Sequence, residues 1–350
     1  MISKLWHAWA LLVLSASAAL FYGPALERTR GAWPAPLDDV YIYFGFARST
    51  ALGHPFEHFP GNGFSSGATS IFYPFLLAPA WALGLRGTEL GIAAALIALL
   101  CLYDLSRSLR ALTRGFSRWL VPLVVVAVPL VDWSWWSGME TALFGAILGR
   151  ALLASQRALD APAYVRPTAQ LRAGAWLALL PLTRPETLPL AVALGIAVVH
   201  GARALGTWPS LARALGPCAA AVGAQALVQR TFTGEWAAAG AVRKLVFSPP
   251  YTDGAAAAVE MALNALVIGH QAFVRAVGGL PGAALLVILI FGAIITRERR
   301  RLSLALVLGS VGALALVCLN TTARYQNYRY AVPCVVMLLC AATLSRHAFL

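Results

Sequence analysis

The sequence predicts an all-α polytopic membrane protein with about ten transmembrane helices, plus outer juxtamembrane helices in its first large loop. Three observations predict it. Of the 350 residues, 59% are hydrophobic and 12% charged, and the mean hydropathy is +0.72, far from the soluble average. Apolar runs near the ~20-residue length that crosses a bilayer recur along the chain. The 27 Lys and Arg residues lie in short loops between those runs rather than in one patch, so a formal net charge of +13 orients a membrane protein and does not build a nucleic-acid interface.

The first run, residues 5–23, follows Lys4 and lacks a convincing small-residue cleavage site, so it reads as a retained signal anchor with a cytoplasmic N-terminus. Four basic loops come next: Arg107, Arg110, Arg114 and Arg118; residues 150–172; Arg203 and Arg213; and residues 297–301. The positive-inside rule assigns all four to the cytoplasm. That parity requires residues 69–85, short and broken by Pro74 and Pro79, to form a juxtamembrane or re-entrant helix. It also places residues 259–279 along the outer surface, because Asn264, His270, Gln271 and Arg275 interrupt their apolar pattern. Both termini then face the cytoplasm of a cell (inner) membrane. Residues 1–350 read as a single transmembrane domain, with 24–88 as the first outer loop and no soluble C-terminal domain.

The acids, unused in building this topology, agree with it. Only Asp104, Asp160 and Glu298 fall inside, whereas Asp38, Asp39, Glu57, Glu89, Asp132, Glu140, Glu186, Glu235 and Asp253 fall at the outer face. The five cysteines (Cys101, Cys218, Cys318, Cys334, Cys340) sit in apolar runs and offer neither a disulfide framework nor a CxxC metal site.

The outer loop opens with Asp38-Asp39. Behind the pair, Val40, Tyr43, Phe44, Ala47 and Ala51 recur at helical spacing, which predicts an amphipathic helix on the membrane surface. A carboxylate at this place is also a common helix N-cap, but one suffices for capping. Four further outer segments carry polar groups at the end of an apolar run: Trp136-Ser-Gly-Met-Glu-Thr-Ala-Leu-Phe144, Thr183-Arg-Pro-Glu-Thr187, Gly234-Glu-Trp236 leading to Arg243-Lys244, and Arg324-Tyr-Gln-Asn-Tyr-Arg-Tyr330. Together they predict one outward cavity ringed by acids, guanidinium groups and aromatics, the composition of a polar ligand site.

In this order the motifs resemble the GT-C membrane glycosyltransferases. The first loop carries the likeness in Asp38-Asp39 followed by Tyr41-Ile42, in Ala47-Arg48, Gly53-His54 and in the glycine- and serine-rich turn over residues 63–70. Residues 137–141, Arg184-Pro-Glu186 and Arg329-Tyr330 through Pro333 are similar to later motifs of the cell-wall arabinofuranosyltransferase branch. The resemblance implies a polyprenyl-phosphate-linked sugar as donor, an envelope glycan or lipid as acceptor, and inverting transfer at the outer face. It further implies a first-loop Asp, Asp38 or Asp39, at the reacting hydroxyl, where a carboxylate accepts the proton. Arg184, Arg243, Lys244 and Arg329 then face the lipid phosphate, Lys244 ahead of Arg243, with Glu140, Glu186 and Tyr330 lining the substrate site. Asp38, Asp39 and His54 are the residues for a divalent cation, Mg2+ or Mn2+.

Blander readings stand beside these. His54 and His58 are also ordinary loop residues, the four cations also suit interfacial snorkelling, and Trp133, Trp135 and Trp136 also suit an aromatic belt. Two other functions use a similar composition: a lipid-linked sugar flippase or transporter, and a noncatalytic membrane assembly subunit. A transporter binds near the midplane at broken, repeated helices, and no internal repeat is visible here.

Overall fold

The computed structural model describes residues 2–200, 206–250, 252–295 and 299–345. Arg203, Arg297 and Glu298 lie outside them. The described residues form fifteen α-helices and no β-strand beyond one bridge between Leu245 and Asn320. The helices are α1 (Ile2–Arg28), α2 (Val40–Ala51), α3 (Tyr73–Ala82), α4 (Leu90–Leu112), α5 (Ser117–Val126), α6 (Pro129–Trp136), α7 (Thr141–Asp160) and α8 (Arg166–Thr183). They continue as α9 (Leu188–His200), α10 (Thr207–Thr233), α11 (Ala239–Arg243), α12 (Gly254–His270), α13 (Gly279–Ile295), α14 (Arg300–Cys318) and α15 (Val332–Thr343).

The all-α membrane class is as predicted. Five stretches are long and apolar enough to cross a membrane: Lys4–Arg28, Gly87–Leu112, Thr207–Thr233, Gly254–Arg275 and Arg300–Cys318. A sixth arises if α5 and α6 form one span bent by 72°. Pro129 starts α6 and cannot continue α5; the Trp135 indole donates to the Val125 carbonyl left at the break, at 2.9 Å. Five or six is fewer than the about ten expected; the other long helices, such as α7 and α8, are less apolar. In the bundle interior a helix meets protein on most sides and need not be apolar all round, as with Arg150 of α7, paired with Asp104 of α4. Close approach also helps: a Cβ at Gly174 of α8 would fall 2.4 Å from the Arg213 carbonyl of α10.

One segment differs from expectation. Gly254–Arg275, read as a surface helix, is long and apolar enough to span. Of the polar residues counted against it, Asn264 is buried and donates to the carbonyls of Cys318 (2.9 Å) and Asn320 (3.1 Å), whereas His270 and Arg275 are exposed; Glu260 pairs with Arg324. The two short outer helices do form where predicted, as α2 and α3.

The basic loops share one end of the bundle. The Trp6 indole donates to the Arg118 carbonyl at 2.7 Å and lies under the Arg110 guanidinium, Arg213 donates to Gln170 at 3.4 Å, and Asp160 stands 3.9 Å from Arg299. Burial pushes the Arg299 pKa down and the nearby Arg114 charge adds to this, against the pull of Asp160. The motifs expected at the outer face gather at the opposite end.

Candidate functional site

Asp39 stands at the N-cap position of α2, yet its backbone is already helical (φ −62°, ψ −17°) and its side chain caps nothing. Its carboxylate instead accepts from Nη2 of Arg329, on the far side of the sequence. Asp38 is exposed, and its Oδ1 accepts the Asp39 backbone N–H at 2.9 Å. The capping account therefore fails for Asp39, which is held by an ion pair, and leaves Asp38 facing solvent.

Three consecutive residues in the left-handed region, Gln326, Asn327 and Tyr328 (φ 54°, 55° and 53°), turn the backbone before Arg329. Such conformations cost about 1 kcal/mol or more each for residues other than glycine and persist where the surroundings demand them. Their result is that Arg329, 6% exposed, points at Asp39 while Tyr330 lies beside it. The Tyr330 hydroxyl receives Nη2 of Arg329 and Nζ of Lys244, both at 3.2 Å. Lys244 follows α11 and is tied to the start of the same C-terminal segment: Thr321 donates to the Lys244 carbonyl through its N–H at 2.8 Å and its hydroxyl at 3.1 Å. Asp39, Arg329, Tyr330 and Lys244 thus form one continuous polar chain. Burial opposes ionisation of the Tyr330 phenol, but the Arg329 and Lys244 charges outweigh it and hold its pKa below the ordinary value. Nη1 of Arg329 is buried and meets no partner, a donor available to an anionic oxygen.

A second cluster lies in the interior. Nη1 of Arg184 donates to Oε1 of Glu140 at 2.7 Å and Nε to Oε1 of Glu186 at 2.8 Å. Both Glu140 (0% exposed) and Arg184 (4%) are enclosed. Burial pushes the Tyr43 phenol pKa well up, and the adjacent Glu140 carboxylate adds to the effect. Tyr43 also accepts the Ser70 N–H at 3.0 Å, and Tyr73 of α3 donates to the Gly138 carbonyl at 3.0 Å. Gly138 has φ +84°, and a Cβ there would stand 3.2 Å from Val40 of α2. The segment 137–140 is therefore the seat on which α2 rests, and Tyr43 is one helical turn beyond Asp39. Arg184 and Glu140, expected against the substrate, are spent on each other.

The other expected residues are dispersed. Nδ1 of His54 lies 3.3 Å from Glu57, and the ring of His58 packs on Phe46 and Phe59. Among the described residues no three His, Cys, Asp or Glu side chains are close enough to hold a metal ion. Asp38, Asp39 and His54 do not fit a cation site: Asp39 is taken by a guanidinium and His54 by Glu57. Arg243 is exposed and joins no ion pair among the described residues.

A search of solved structures finds the crystal structure of ArnT from Cupriavidus metallidurans bound to undecaprenyl phosphate, with a TM-score of 0.56 over 98% of this chain. The chain shares the fold of that protein. Sequence identity to ArnT is 17%, and the chain spans 59% of the length of that protein. No family model and no curated protein sequence matches the chain.

Some supporting residues were not singled out in the sequence. Tyr43 was read only as part of an apolar stripe, though its i+4 spacing from Asp39 put it on the same face. Tyr73 carried no signal beyond its apolar run. Asn264 was misread as an interruption, and nothing in Gln326-Asn-Tyr328 announced a left-handed turn.

Proposed function

We propose that the chain moves a sugar from a polyprenyl-phosphate donor to an envelope glycan or lipid acceptor, at the outer, periplasmic face of the cell membrane. The observation that carries this reading is the polar chain Asp39–Arg329–Tyr330–Lys244 beside the exposed Asp38. It sets a carboxylate next to two cations, the two kinds of charge that displacement of a lipid phosphate requires. The fold shared with ArnT and the undecaprenyl phosphate bound in that protein support the same reading, as does the end-to-end separation of this cluster from the basic loops.

In the reaction, the acceptor hydroxyl oxygen attacks the anomeric carbon while its proton passes to the Asp38 carboxylate. The bond from that carbon to the phosphate oxygen breaks, and its electron pair leaves with the polyprenyl phosphate. Arg329, through its unpaired Nη1, and Lys244 stabilise the charge gained by the leaving phosphate. Attack opposite the leaving group inverts the anomeric centre. Asp39 holds Arg329 in place, and the Glu140–Arg184–Glu186 cluster seats α2 so that Asp39 faces the cations and Asp38, next to it, stays open to the acceptor.

The test is transfer from a panel of pentosyl and hexosyl polyprenyl phosphates by the purified chain, with product sugar and free polyprenyl phosphate measured together. Stoichiometric release of both from one donor is expected. Donor binding and translocation across vesicles without any cleavage would replace this reading with a lipid-linked sugar carrier.

A further inference from the structure

Trp81 of α3 carries two guanidinium groups over its ring: Arg86 at 4.0 Å and Arg48, from the last turn of α2, at 5.7 Å. Arg86 is fixed there. Its Nη1 donates to the carbonyls of Trp81 and Leu85, the latter at 2.9 Å, and its backbone N–H donates to Glu89 at 3.0 Å. Glu89 is thus used by the backbone. Neither guanidinium joins a salt bridge among the described residues. Two like charges gathered on one half-buried indole, with their remaining N–H groups open, call for an anion.

Depth in the membrane is set by the chain itself. Arg86 immediately precedes Gly87–Leu112, which is long and apolar enough to cross a bilayer, so it stands at headgroup level by the length rule. The neighbouring helix α3 exposes Phe75, Leu76 and, just past its end, Leu83 at 86%. That surface belongs in acyl chains, while an indole with two arginines belongs at the headgroups.

We propose that Arg48, Arg86 and Trp81 bind the phosphate of an anionic phospholipid in the leaflet that covers this end of the bundle. Its acyl chains run along Phe75, Leu76 and Leu83. Guanidinium forks match a phosphodiester in geometry as well as charge, and a zwitterionic headgroup brings its own cation into repulsion with both arginines. The site uses no residue of the proposed chemistry and stands or falls apart from it.

Native mass spectrometry of the delipidated full chain tests this, with phosphatidylglycerol and phosphatidylcholine of identical acyl chains. The wild type is expected to retain one phosphatidylglycerol under activation that strips phosphatidylcholine. In Arg48→Gln/Arg86→Gln the apparent affinity for that lipid falls about tenfold or more; Arg48→Lys/Arg86→Lys recovers part of it, and Arg230→Gln leaves it unchanged. The single Gln variants, each expected to weaken retention, carry the same reading if the double variant does not fold. A wild type without preference for phosphatidylglycerol, or Gln variants that keep it, overturns the proposal.

Discussion

The Asp39 carboxylate accepts from Arg329 across 290 residues of chain. This contact joins the first loop after α1 to the segment before α15, and among the described residues no other ion pair links such distant parts of the sequence. It sets the position of Tyr330, and through Tyr330 that of Lys244.

Breaking the pair leaves a buried charge. With Arg329 only 7% exposed at its side chain, Asp39→Ala is expected to destabilise the protein by about 2–4 kcal/mol. In a double-mutant cycle with Arg329→Met, the two effects should fall short of additivity by about 1–3 kcal/mol. Unfolding in detergent measures both. Additive losses would mean that the contact contributes nothing.

Tyr330 gives the account a pH signature. Its folded pKa lies below the ordinary phenol value of about 10, so the unfolded chain holds this proton to higher pH. Stability from Tyr330 therefore rises with pH between its folded value and 10, is fully present above 10, and is lost as pH falls through the folded value. The stability gap between wild type and Tyr330→Phe should widen from pH 7.5 to pH 10. Taking the difference cancels the opposite trend from Tyr43, whose phenol is pushed up. A gap that narrows would remove the cationic surroundings assigned to Tyr330.

The interior cluster should behave as a unit. Arg184→Met leaves the enclosed Glu140 and the partly buried Glu186 without compensation and is expected to cost about 3–5 kcal/mol. Adding Glu140→Gln and Glu186→Gln to it should restore much of that loss. Thermal midpoints of the single and triple variants decide the point. A triple variant less stable than Arg184→Met would contradict the pairing.

Gly138→Ala combines a left-handed backbone with a Cβ 3.2 Å from Val40. An expected cost of about 1–2 kcal/mol should come with slower sugar transfer, because the strain is relieved by shifting α2 and its aspartates. Unchanged transfer in a destabilised Gly138→Ala protein would show that α2 does not rest on this segment.

Features that depend on local pattern were legible in the sequence. Apolar runs announced the membrane helices, helical spacing announced α2, and the Asp pair and Arg329-Tyr330 stood out as charges beside apolar runs. Pairings across the fold were not. Arg184 and Glu140 are 44 residues apart, and nothing in Arg-Pro-Glu, at the end of an apolar run, announces that the fold buries Arg184. Asn264 misled for the same reason: an amide in an apolar helix looks costly until its carbonyl partners 54 and 56 residues away are known. The cap position of Asp39 was correctly located, but only the structure shows its carboxylate turned to a guanidinium. The expected spans exceed the six apolar ones because a buried helix tolerates residues such as Arg150 that a lipid-facing one does not.

The most direct test of the account is steady-state sugar transfer by wild type, Asp38→Asn and Lys244→Gln in proteoliposomes, with kcat and donor KM separated. Asp38→Asn is predicted to lose kcat by about 10²–10⁴-fold with donor KM little changed, and Lys244→Gln to raise donor KM. Full turnover in Asp38→Asn, with normal donor KM in Lys244→Gln, would contradict it.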